Sequence, residues 1–261
     1  MGGVNPPPIY IGEHMKFYLG RNPSAFDARD MALSAFMAKD YYNLPVPKSM
    51  KWDFLAEPLN QGETPHCVGF SGADWGICNP VQDNYTNQDG HNFYYKCKII
   101  DGEPNQENGS SVRSIAKVLK SAGRMNAYAF AASVAELKYW LLTQGPVIMG
   151  TTWTNNMFTP DADNIVHATG DVAGGHAYLI NEVTENNLYG IQNSWDGGWG
   201  INGKAYISEA DLTLLLRNGG EAVTAVELPL ENPSPNPSPV NGSCSGLIEA
   251  FITNLFPKSK K

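Results

Sequence analysis

The chain has 261 residues, 42% hydrophobic, 17% charged and 11% aromatic, enough to bury one good core or two small ones and unlike a disordered polyelectrolyte. Its net charge of -8 offers no long-range attraction to phosphate backbones, and basic residues gather only at Lys258, Lys260 and Lys261, so nucleic acid is not an expected partner. No apolar stretch approaches the roughly 18 residues of a membrane-spanning helix. Residues 1–10 offer Gly, Pro and Asn where a secretory signal needs a basic head and an apolar run, so the expectation is a soluble chain without a membrane partner.

Residues 1–46 read as an N-terminal arm. A Pro-rich strip is followed over 25–42 by Phe26, Ala32, Leu33, Phe36 and Met37, a pattern that predicts a mostly helical apolar face packing on the domain. Residues 47–60 are mixed and turn-like, and 61–78 read as a loop entering a helix, with Cys67, Phe70, Ser71 and Trp75 at helical spacing. From 83 to 109 the density of Asn, Gln, Asp and Gly around Phe93 to Tyr95 predicts long surface loops with a short extended piece. Val112, Ile115, Val118 and Leu119 predict a helix over 111–122, ended by Gly123.

Ser133 and Glu136 have the spacing of a capping box, in which each side chain satisfies a free amide of the first turn, and a helix over 134–143 follows. Gly145 and Pro146 stop it, and 147–152 read as a core strand. Strands are predicted over 176–182, 187–193 and 204–208, joined by Asn- and Gly-rich turns, which makes the second half mainly β. Five prolines between 228 and 240 fix φ repeatedly and predict an extended spacer, so the globular domain should occupy 47–227. Within 241–261, Leu247, Ile248, Phe251, Ile252, Leu255 and Phe256 predict a short amphipathic tail helix that folds back on the domain or docks a partner.

The four cysteines, Cys67, Cys78, Cys97 and Cys244, are too scattered for a zinc knuckle, so neither metal nor cofactor is expected; a bridge between Cys78 and Cys97 stays open. The strongest chemical signal is Gly174-Gly175-His176-Ala177 followed by Gln192-Asn193-Ser194-Trp195 and the glycine-rich run to Trp199 and Gly200. It places an imidazole on a strand, paired glycines that let another backbone or a substrate come close, and an amide able to accept the ring N–H and fix its tautomer. Upstream, Gln61 precedes Cys67 by six residues at a predicted helix start. A helix N-terminus and a nearby imidazolium both favour thiolate, so the Cys67 pKa is expected to fall toward the acidic range.

Together these segments resemble the papain-like cysteine peptidases, over residues 47 to about 226. Pro47, Trp52-Asp53 and Gly145-Pro146-Val147 agree as well, and Cys67 precedes His176 and Asn193 by 109 and 126 residues. The resemblance implies an α+β, two-lobed fold, with a helical left lobe carrying the nucleophile helix and a β-barrel-like right lobe carrying His and Asn. It implies an endopeptidase acting on polypeptide substrates, with Cys67 as nucleophile, His176 as general base and acid and Asn193 as its orienter. Gln61 and the Cys67 amide would form the oxyanion hole, and Trp195, Gly174, Gly175 and Trp199 would support the site.

Departures accompany the matches. Thr64 and Val68 stand where the family usually has Cys and Trp, removing a familiar disulfide and pointing to a divergent microbial or virus-encoded member in a cytoplasmic or virion-associated setting. His66 reads as loop polarity. The 46 residues before Pro47 are too few for the usual propeptide, leaving a chain made active or one held by a short segment across the cleft. An amidase or peptidoglycan endopeptidase with the same residues, and a non-catalytic binding protein on this fold, are the alternatives.

Overall fold

The computed structural model describes residues 9–11, 15–39 and 43–227. The predicted spacer at 228–240 and tail helix at 241–261 lie outside them. The fold is α+β, with three helices forming one lobe and an eight-stranded sheet forming the other.

The helical lobe contains α1 (Cys67–Ile77), α2 (Asn87–Ile100) and α3 (Val112–Ser121). Ser111 caps α3 by accepting from the Ser114 amide, which places the helix where its apolar spacing predicts it. Helix α2 corrects the expectation of surface loops over 83–109. Thr86 and Asp89 form a complete capping box, and Gly90, Phe93, Tyr94, Cys97 and Lys98 fall on one buried face. The polar composition hid this face because two of its members are a glycine and a lysine. Gly90 is there for packing, since a Cβ would lie 2.8 Å from the Phe70 ring. Lys98 is buried because its ammonium is bonded to Glu103, Asn108 and the Gly109 carbonyl.

In the sheet lobe the strands are β3 (Met50–Lys51), β4 (Ala127–Phe130), β5 (Val147–Thr154), β6 (Ile165–Val166), β7 (Val172–Val183), β8 (Leu188–Gln192), β9 (Lys204–Ser208) and β10 (Glu221–Val226). Their order is β4-β10-β5-β7-β8-β9-β6, with β3 beside β7, and every pairing is antiparallel except β6 with β9. Two further strands, β1 (Ile9–Ile11) and β2 (Met15–Phe17), form a separate hairpin. Helices α4 (Val134–Thr143) and α5 (Glu209–Arg217) also belong here, α4 with the bounds the capping box predicts.

Alternation along β5 and β7 joins the lobes. Val147, Met149, Tyr178 and Ile180 enter one apolar core, whereas Ile148, Ala177 and Leu179 enter the core of the α1–α3 lobe. One pair of central strands therefore holds both halves of the molecule, and β7 passes directly behind the start of α1.

The expected helix over 25–42 is replaced, among the described residues, by a single 3-10 turn, Leu33–Phe36. Phe26 is 94% exposed, so the apolar residues do not form one buried stripe. Phe130 donates its amide to the Met31 carbonyl, which commits this part of the arm to bonding along the sheet edge.

Candidate active site

Cys67 is the first residue of α1 and is fully buried. The loop that delivers it is locked by reciprocal bonds: Thr64 Oγ1 donates to the Gln61 carbonyl at 2.6 Å and Gln61 Nε2 donates to the Thr64 carbonyl at 2.7 Å. Gln61 ties this loop to the end of β8. Its amide donates to the Ser194 carbonyl at 2.9 Å, and its Oε1 accepts from Ser194 Oγ at 2.9 Å.

His176 lies in β7 and Asn193 follows β8, with His176 Nε2 2.8 Å from Asn193 Oδ1. Asn193 Oδ1 also accepts the Ser194 amide at 2.8 Å, so this oxygen is an acceptor and Nε2 carries the imidazole proton. That leaves the lone pair on Nδ1, which is buried and makes no hydrogen bond. Trp195 stacks on the ring at 4.4 Å and Trp153 meets it edge-on at 4.8 Å, holding the imidazole between indoles. Trp199 is one layer further out, donating its indole N–H to the Phe158 carbonyl at 2.9 Å.

Burial dominates the protonation states. It pushes the Cys67 thiol up to about 11, against the opposing pull of the Ala177, Gly20 and Val68 amides and of the Arg21 charge. It pushes His176 down to about 4, against the hydrogen bond to Asn193. The resting thiol and the resting imidazole are therefore both neutral, which corrects the expectation of an acidic-shifted thiolate. The helix N-terminus acts in the anticipated direction through Val68, but removal from water is the larger effect.

The N-terminal arm covers this site. Phe17 packs on Trp195 with ring centroids 4.5 Å apart, and the Tyr18 carbonyl accepts Gln61 Nε2 at 3.1 Å. Gly20 and Arg21 both donate to the Gly175 carbonyl, at 3.0 and 2.9 Å. Across the cleft, Ser110 donates to the Gly20 carbonyl at 2.9 Å and Asn22 donates to the Ser110 carbonyl at 2.7 Å. Glycine is required where the strap is clamped. A Cβ on Gly175 would lie 2.1 Å from the Arg21 carbonyl oxygen, and one on Gly20 would lie 2.0 Å from that of Pro65. Gly174 gives the same closeness to the Leu19 side chain, at 2.8 Å.

The sequence offered a short N-terminal segment across the cleft as one alternative but did not place it: nothing in Leu19-Gly20-Arg21-Asn22 marks these residues as the strap, and the cleft wall opposite Gly175 is Gly109-Ser110, whose character no motif reveals. His66 is also not loop polarity: it is 1% exposed and stacks on Tyr94 at 3.7 Å. Its Nδ1 is 2.7 Å from His91 Nδ1 and its Nε2 is 2.5 Å from a Glu107 carboxylate oxygen. Cys78 and Cys97 are buried free thiols, and among the described residues no cluster of three or more His, Cys, Asp or Glu is placed to hold a metal ion.

The sequence matches no protein-family model and no curated protein. Solved structures do match. Xylellain, a cysteine protease from Xylella fastidiosa, aligns with TM-score 0.64 and 16% identity, over 80% of this chain and 96% of that one. ProCathepsin B from Trypanosoma congolense aligns with TM-score 0.58 and 12% identity, over 78% and 86%. A Carica candamarcensis cysteine protease in complex with E-64 aligns with TM-score 0.53 and 14% identity, over 70% and 99%. The fold is that of the papain-like, two-lobed cysteine proteases.

Proposed function

We propose that the chain is a cysteine endopeptidase stored in a closed form by its own N-terminal strap. The observation that carries this reading is the His176 imidazole, held by Asn193 with its lone-pair nitrogen left unbonded, on the strand that passes behind the start of the Cys67 helix. A free lone pair on that nitrogen is what a general base needs, and leaving it unbonded in a buried site costs about 1–3 kcal/mol.

When the strap withdraws, water reaches both groups and the desolvation that separates their pKa values relaxes. The Cys67 proton passes to His176 Nδ1, and the imidazolium stays oriented by Asn193. The thiolate adds to the scissile carbonyl carbon. The oxygen that gains charge is received by Gln61 Nε2 and the Cys67 amide, donors of a kind worth roughly 3–4 kcal/mol each in the transition state. His176 then gives its proton to the leaving amine, whose C–N bond breaks to leave a thioester on Cys67. A water that loses its proton to the same nitrogen attacks the thioester, releasing the acid and restoring the thiol.

The Tyr18 carbonyl accepts Gln61 Nε2 at 3.1 Å, so the strap occupies the oxyanion donor until it withdraws.

Casein hydrolysis by the strap-opened chain Gly20→Ala tests the proposal, with Cys67→Ala and Asn193→Ala added singly. Loss of all turnover with Cys67→Ala and a fall of at least about tenfold with Asn193→Ala are expected. Full hydrolysis without the Cys67 thiol would rule the mechanism out.

A further inference from the structure

His66, the residue before the nucleophile, belongs to a chain of side chains that the chemistry above does not use. Its Nε2 faces the Glu107 carboxylate at 2.5 Å, and its Nδ1 faces Nδ1 of His91, in α2, at 2.7 Å. A carboxylate only accepts, so Nε2 carries the His66 proton, and the Nδ1 lone pair accepts from His91 Nδ1–H. The chain closes with both imidazoles neutral, the state that burial favours for each. Tyr94 stacks on the same ring, and its hydroxyl accepts the Gly109 amide at 3.1 Å.

Glu107 leads directly into the cleft wall. The Ser110 amide and carbonyl hold the strap, bonding Gly20 and Asn22 on either side of Arg21, and an extended peptide in the strap's place meets the same two groups. Behind the wall, fastenings run in two directions. Lys98 bonds Asn108 Oδ1 at 2.7 Å and the Gly109 carbonyl at 3.0 Å, which together with Tyr94 ties the wall to α2. The His66–Glu107 bond ties it instead to the residue that precedes Cys67. Cys67, Cys78 and Cys97 are free thiols, so among the described residues no disulfide reinforces that tie. The nucleophile loop does not depend on it, because Gln61 is separately bonded to Thr64 and Ser194.

We infer that His66 and Glu107 are positioning residues for substrate: their bond fixes the Ser110 wall relative to Cys67, and its loss weakens the grip on the peptide backbone while sparing the groups that cleave it. The inference rests on the peptidase reading above. The competing view is that Lys98 and Tyr94 hold the wall by themselves and His66 only fills space beside them.

Glu107→Ala cuts the tie at its half-exposed end, where the fold is least disturbed, and Glu107→Gln keeps an oxygen for His66 Nε2–H. Each is placed in the full chain carrying Gly20→Ala, and KM and kcat are measured on a quenched peptide spanning a casein cut site. For Glu107→Ala, KM should rise at least about fivefold, what two weakened backbone bonds are worth, with kcat within about twofold. Glu107→Gln should stay within about twofold of its parent in both constants. The strap grips the same wall, so Glu107→Ala with Gly20 in place should also speed carboxymethylation of Cys67 at least about fivefold. An unchanged KM, a kcat that falls as far as KM rises, or equal effects of Ala and Gln overturn the assignment and leave the peptidase reading standing. Absence of turnover in a Gly20→Ala chain whose Cys67 takes the label overturns the peptidase reading and the substrate role together.

Discussion

Gly20→Ala separates the strap from the machinery beneath it, because the substituted residue belongs to neither lobe. The added methyl carbon would sit 2.0 Å from the Pro65 carbonyl oxygen and 2.5 Å from its carbon, both backbone atoms that cannot step aside. The strap must lift there, and four backbone hydrogen bonds go with it: Gly20 and Arg21 to Gly175, Ser110 to Gly20, and Asn22 to Ser110. At about 0.5–1.5 kcal/mol net each, their loss shifts the closed-to-open equilibrium by about 2–6 kcal/mol, or at least about thirtyfold in the open population. The assay is carboxymethylation of Cys67 by iodoacetamide at pH 7.5, followed by peptide mass spectrometry. In the closed chain the thiol is held up to about 11 by burial, so it should react far more slowly than an exposed cysteine. Gly20→Ala should react at least about thirtyfold faster, at unchanged far-UV circular dichroism. A folded Gly20→Ala chain labelled at the wild-type rate would show that the strap does not control access to the thiol.

Acid should remove the stability contributed by the buried histidines. His176, His66 and His91 all have pKa values pushed below the ordinary imidazole range by burial, so the folded chain binds fewer protons than the unfolded one once the pH drops below about 6.5. Stability is then full above that pH and declines toward the folded values; for His176, at about 4, the loss amounts to about 3 kcal/mol. Between pH 7 and pH 4 the urea midpoint of the wild type should fall relative to that of His176→Gln; parallel profiles would contradict this. Asp74 titrates in the opposite sense. Both its carboxylate oxygens are buried without hydrogen bonds and burial raises its pKa well above normal, so it contributes most stability in acid and loses it as pH rises past about 4. Asp74→Asn should gain on the wild type by up to about 1.4 kcal/mol per pH unit above that point, and a pH-independent difference would refute the assignment.

The His176–Asn193 pair of the candidate site was more legible in the sequence than the structure around it. His176 and Asn193 are flanked by glycines and tryptophans that local bonding demands, so the pattern appears in the letters: Gly175 must admit the Arg21 carbonyl, and Trp195 must cover the imidazole. Helices α3 and α4 were readable because their caps and apolar stripes coincide. Helix α2 was not, because its buried face includes Gly90 and Lys98, residues that signal turn and solvent until Phe70 and Glu103 are placed beside them. Strand β10 and helix α5 escaped for another reason. Glu221 begins a strand yet faces Arg21 from some 200 positions earlier, a pairing that no local pattern encodes. The thiol pKa was misjudged in the same way: the helix terminus is local and visible, and the tertiary packing that buries the sulfur is not.

The proposed chemistry depends on a thioester forming at one sulfur. The direct measurement is rapid acid quench of Gly20→Ala during turnover of a peptide p-nitrophenyl ester, with the acyl group located by peptide mass spectrometry. The account predicts the added mass on the peptide containing Cys67, none on those containing Cys78 or Cys97, and no burst of p-nitrophenol in Gly20→Ala/Cys67→Ala. An acyl group on any other residue, or an undiminished burst without the Cys67 thiol, would contradict it.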